Sequence, residues 1–145
     1  MSSPERGKRV GVLIVEDEMI VLEDLRLRLK NMGYDIRATA TTGQDAVRLA
    51  DDLRPDVVVM DISLRGGMDG LAAASVISST TGIPVVFVTG LGDPETLQRA
   101  KESSGFSFVL KPVDDRELDY VIEMALHRHN PSSRGEPPVS GPAAT

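Results

Sequence analysis

The chain of 145 residues contains no cysteine, no tryptophan, three phenylalanines and two tyrosines. Without cysteine, neither a disulfide framework nor a thiolate metal site can exist. With so few rings the core has to be aliphatic, built from Val, Leu, Ile and Ala. No apolar run approaches the roughly 20 residues that carry a helix across a bilayer. The polar stretch Met1 to Arg9 lacks the apolar segment of a secretory signal. A cytoplasmic location and no membrane contact are therefore expected. Positive charge is also scarce: 16 Lys and Arg stand against 22 Asp and Glu, a formal net charge of -6. That balance argues against nonspecific attraction to a phosphate backbone, so no direct nucleic-acid partner is expected.

What is present suits one ordinary globular domain, with 41% hydrophobic and 26% charged residues. Short apolar runs at Val10 to Val15, Val57 to Met60, Pro84 to Val88 and Phe106 to Leu110 read as strands. Runs this apolar are buried on both faces, as in parallel sheets. Tyr34 to Ala40 is more polar, which suits an edge or near-edge strand. Helical spacing falls between them. Val21, Leu25 and Leu29 recur every four residues, with Gly33 as the C-terminal cap. Ala46, Ala50 and Leu53 mark a second helix closed by Pro55. Asp69-Gly70 opens a third with Leu71, Ala74 and Ile77 inward, and Asp93-Pro94 opens a fourth anchored by Leu97 and Ala100. Leu118, Val121, Ile122 and Ala125 form the stripe of the last. Strand and helix alternating five times predict an α/β fold, a doubly wound five-stranded parallel sheet. Residues 1–8 read as a flexible arm, 9–129 as the domain and 130–145, rich in Pro, Gly and Ser, as a disordered tail.

The chemistry lies in what ends each strand. The first stops at Glu16-Asp17, the third at Asp61, the fourth at Thr89 and the fifth at Lys111. Parallel strands point one way, so these ends share one edge of the sheet, where α/β folds bind ligands. Clustered carboxylates repel one another, and a hard cation removes that cost. Oxygen donors without His or Cys nearby favour Mg²⁺. Such an ion, open to a phosphoryl oxygen, would neutralise charge as a carboxylate attacks phosphorus. The Lys111 ammonium can pair with Asp61, and the Thr89 hydroxyl can donate to a phosphoryl oxygen.

Each signal has a plainer explanation when taken singly. Glu16, Asp17 and Glu18 would also suit a first helical turn, whose dipole favours negative charge. Asp61 could be a turn residue, Thr89-Gly90 a strand end and Lys111-Pro112 an exposed lysine before a turn. His127 and His129 lie two apart on a helix and do not face each other, so no metal role follows.

Taken together, Val12-Leu13-Ile14-Val15-Glu16-Asp17-Glu18, Val58-Val59-Met60-Asp61, Val88-Thr89-Gly90 and Leu110-Lys111-Pro112 resemble the receiver domain of bacterial two-component response regulators. The likeness runs over about residues 8 to 129. It implies a flavodoxin-like (βα)₅ fold with strand order 2-1-3-4-5. It also implies that Asp61 takes a phosphoryl group from a histidine kinase or phosphotransfer protein. By the same resemblance, Mg²⁺ would be held by Asp17, Asp61 and the Ser63 backbone carbonyl, with Glu16 acting through a bound water. Thr89 and Phe108 match the family's switch pair, and Lys111 its lysine, joined to Pro112 by a cis bond. The face of the fourth helix, fifth strand and fifth helix would meet a downstream protein, with a homodimer on phosphorylation as one form of that contact. Three places depart from the pattern. Glu16 replaces the commoner Asp, Phe108 lacks the hydroxyl of the common Tyr, and Arg65 stands where Pro is frequent in a loop one residue longer than usual.

The leading expectation is a stand-alone receiver that phosphorylates itself and slowly loses the group, without other enzymatic activity. One alternative is a binding module of the same fold that ignores phosphorylation. Another is a Mg²⁺-dependent phosphohydrolase with Asp61 as nucleophile, for which Ser63 stands where a general acid is needed.

Overall fold

The β-branched run Val57–Met60 forms β3, the middle strand of one sheet in a computed structural model of the protein. That structure describes residues 9–90, 94, 98, 99, 102 and 106–129. Around β3 lie β1 (Gly11–Val15), β2 (Asp35–Ala40), β4 (Val85–Thr89) and β5 (Ser107–Leu110). All neighbours are parallel, in the order β2-β1-β3-β4-β5. Among the described residues, four helices with described bounds cover the sheet: α1 (Met19–Asn31), α2 (Gly43–Leu53), α3 (Gly70–Thr81) and α4 (Asp115–His129). Here α4 is the last of the five helices expected from sequence. Of the helix expected from Asp93-Pro94, only Pro94, Gln98, Arg99 and Glu102 are described, all helical. Its anchors Leu97 and Ala100, the arm 1–8 and the tail 130–145 lie outside the described residues.

The strand pleat deals alternate side chains to two cores. Leu13, Val15, Val58, Met60, Val85 and Phe87 face one way, against Ala46 and Ala50 of α2 and Leu71, Ala74 and Ile77 of α3. Val12, Ile14, Val57, Val59, Val86 and Val88 face the other, against Leu22, Leu25 and Leu29 of α1 and Leu118, Ile122 and Ala125 of α4. Each Val, Leu, Ile, Met or Phe among them, fully buried, contributes about 1.5–3 kcal/mol, and each alanine methyl less than about 1 kcal/mol. Polar links close the second layer: Tyr34 Oη donates to Asp119, and Arg28 pairs with Asp115 at 2.6 Å. β2 is an edge strand, and its burial alternates as that position requires.

Local chemistry sets the helix limits. Thr42 and Asp69 cap α2 and α3, accepting from the amides of Asp45 and Ala72. α2 ends at Arg54, with a left-handed φ of +49°, because Pro55 disfavours a further helical residue before it. At two positions only glycine fits. A Cβ on Gly70 would lie 2.4 Å from the Asp61 carbonyl oxygen, and one on Gly43 would lie 2.6 Å from that of Met68. These absences let α3 start, and α2 press, directly against the loop that follows β3.

Candidate functional site

The sheet's hydrogen-bond ladder runs on past the strands, and that extension places the site. The Asp61 amide donates to Val15 O at 3.0 Å, and the Lys111 amide to Thr89 O at 2.8 Å. The Glu16 amide donates to Ala40 O at 3.0 Å. Each of these residues is the first beyond its strand and is tied to a neighbour, so its position is fixed by the sheet. Glu16, Asp17, Asp61, Thr89 and Lys111 thus stand at one end of the sheet, while Thr41, after β2, is outside the group.

Three of them meet closely. Glu16, Asp17 and Asp61 each bring one carboxylate oxygen within 4.8 Å of the others. Asp61 is 8% exposed and accepts from the Ser63 amide at 3.1 Å. Glu16 is 1% exposed; its Oε2 accepts from the Glu18 amide, while its buried Oε1 has no hydrogen-bond partner. Burial, and after it the charge of Asp61, push the Glu16 carboxyl up to about 7. The Glu18 amide and Lys111 oppose that rise, and Asp17 adds to it. Hard oxygen donors of one sign around an unsatisfied buried oxygen are a donor set that fits a divalent cation.

Two contacts differ from expectation. Lys111 Nζ lies 3.6 Å from Glu16 Oε1, and its ion pair is with Glu16 rather than Asp61. Glutamate in place of aspartate carries the acid one methylene further toward the lysine. The second is a residue to which sequence reasoning gave no partner. Arg65 places its backbone amide 3.0 Å and its Nε 3.3 Å from the same Asp17 Oδ2, with Nη2 3.6 Å from Glu18. A lone cation in the glycine-rich loop after Asp61 was the visible signal; its pairing required the fold.

Thr89 is buried, and its hydroxyl makes one long contact, 3.4 Å to Gly90 O. Phe108 is half-buried, stacked on Phe87 at 5.7 Å, while Phe106 meets Phe87 edge-on at 5.4 Å. The Lys111–Pro112 bond is cis. His127 is exposed near the end of α4, away from the strand ends. No helix among the described residues is long and apolar enough to cross a membrane.

The sequence model of one protein family, the response regulator receiver domain, matches residues 12–123. The chain belongs to that family. This receiver is 37% identical over 117 residues to the transcriptional regulatory protein PdtaR of Mycobacterium tuberculosis, covering 81% of the chain and 57% of that relative. It is 33% identical to AfsQ1 of Streptomyces coelicolor over 81% of the chain and 52% of AfsQ1. The receiver thus spans little more than half the length of these curated relatives. Among solved structures, the signal receiver domain of a modulated diguanylate cyclase from Desulfovibrio desulfuricans G20 superposes with a TM-score of 0.80. It shares 40% identity, over 86% of this chain and 99% of that one. The receiver domain of NtrX from Brucella abortus superposes at 0.72 with 32% identity, over 80% and 98%. Receivers are modules of two-component signalling rather than enzymes in the ordinary sense, and receivers in general bind Mg²⁺.

Proposed function

We propose that Asp61 is the phosphoacceptor of this receiver, taking a phosphoryl group from a histidine kinase or phosphotransfer protein. One observation carries this reading: a buried Glu16 oxygen that has the Lys111 ammonium at 3.6 Å but no hydrogen bond, beside the Asp17 and Asp61 carboxylates at the end of a parallel sheet. Glu16, Asp17, Asp61 and the Ser63 carbonyl would hold Mg²⁺, which supplies neutralisation of charge on the phosphoryl oxygens. An Asp61 carboxylate oxygen attacks phosphorus and the donor's imidazole departs, so one P–N bond is exchanged for one P–O bond. The ladder bond to Val15 and the Ser63 amide hold that carboxylate in place. The Lys111 ammonium balances the phosphoryl charge, and the Thr89 hydroxyl donates to one of its oxygens. Movement of Thr89 draws Phe108 further in along the Phe87 ring. The change is read on the face of the expected fourth helix, β5 and α4, where Leu110, Tyr120 and Met124 expose apolar surface. A downstream protein, or a second copy of this chain, would dock there.

Incubation with Mg²⁺ and acetyl phosphate should add one phosphoryl group by intact mass, and Asp61→Asn should add none. Undiminished labelling of the Asn variant overturns the assignment. A second reading, a partner-binding module indifferent to phosphorylation, is favoured by the Arg65 pairing with Asp17. It predicts equal partner affinity with and without a beryllofluoride mimic on Asp61.

A further inference from the structure

We propose that Arg65 is an internal counter-cation that competes with the divalent ion for Asp17 and so sets the metal concentration at which the site loads. The inference rests on the acid cluster being the metal site. Asp17, whose side chain is 12% exposed, receives the Arg65 amide and guanidinium on one oxygen, Oδ2. The Arg65 side chain is 76% exposed, so its guanidinium is free to leave. A divalent ion on Asp17 would bring two positive charges against it, and like charges at contact distance repel. A second acid is already within reach: Glu18 Oε2 lies 3.6 Å from Nη2. The expected exchange is therefore a short swing of the guanidinium from Asp17 to Glu18.

Charge counting agrees with that exchange. Fully ionised, Glu16, Asp17, Glu18 and Asp61 give -4 and Lys111 and Arg65 give +2, leaving -2. A divalent ion brings the cluster to neutrality only if Arg65 stays nearby, which Glu18 permits. The loop that bears Arg65 is also held in position. Met68 abuts Gly43, Gly67 abuts Gln44, and Gly70 lies against the Asp61 and Ile62 backbone. Gly66, with φ +97°, turns the chain directly after Arg65. The pairing is thus built by the loop, and Arg65 acts on the site through Asp17 as a positioning residue.

The test is calorimetric titration of the full chain with Mg²⁺, comparing the parent with Arg65→Gln, Arg65→Lys and Asp17→Asn. Arg65→Gln should bind Mg²⁺ about fivefold more tightly, the upper range for a largely exposed pair, with Arg65→Lys in between. In the parent, the Arg65 Nε–H resonance should move with the same midpoint as the calorimetric curve, a response that a purely structural arginine would not give. Asp17→Asn should weaken binding in every background. Affinity in Arg65→Gln that is weaker, or tighter by less than about twofold, overturns the role of Arg65 when Asp17→Asn still weakens binding. Unchanged affinity in Asp17→Asn instead overturns the metal site itself.

Discussion

β3 and β5 are both four residues long, and each hands one residue to the site, yet they differ in almost everything else. β3 is buried throughout and lies between β1 and β4, so displacing Asp61 would break two hydrogen-bond ladders. β5 is an edge with one neighbour; Ser107 and Phe108 are half-buried, Leu110 is exposed, and Val109 alone is fully buried. The contrast separates two tasks. The acid whose geometry matters is set where the sheet cannot give. The aromatic ring that would report on it is set where moving costs one ladder and partial burial.

The sharpest way to break that contrast is to compare cavities. Met60→Ala in β3 should cost about 2–5 kcal/mol, whereas Leu110→Ala in β5 should stay within about 0.5 kcal/mol, read from urea midpoints. Similar losses would mean that the two strands are equally fixed. Next is the pH response of the central cluster. Burial pushes the folded Glu16 carboxyl up to about 7, against 4.5 for an unperturbed glutamate. Its contribution to stability is therefore greatest below 4.5 and declines as pH rises through about 7, by an amount on the order of 3 kcal/mol in metal-free protein. Saturating Mg²⁺, which favours the ionised acid, should offset the decline, and Glu16→Gln should remove it. Gly70→Ala, which drives a methyl against the Asp61 carbonyl, should cost about 1–3 kcal/mol and slow phosphorylation, measured by melting and by mass. The smallest effect is Phe108→Tyr at the edge, expected within about 0.5 kcal/mol of the parent by the same melts.

The same contrast explains what could be read in the sequence. β3 announces itself because burial on both faces demands an unbroken apolar run, and its end marks Asp61 without reference to any other segment. The alternation of strands and helices then leads to a parallel sheet, and the resemblance to receiver domains to the strand order that the structure shows. Contacts across loops left no comparable trace. That Lys111 meets Glu16, and that Arg65 meets Asp17, depends on side-chain reach between segments 95 and 48 residues apart. Nor did the pattern single out Gly43, because nothing local reveals that the Met68 carbonyl comes to rest against it.

An acyl phosphate on the proposed acceptor Asp61 can be trapped chemically. Borohydride reduction of protein treated with Mg²⁺ and acetyl phosphate converts an aspartyl phosphate to homoserine, which peptide mass spectrometry locates. Homoserine at position 61 alone is the expected result. Homoserine at position 17, or at no acidic residue while the protein still gains phosphate, would contradict it.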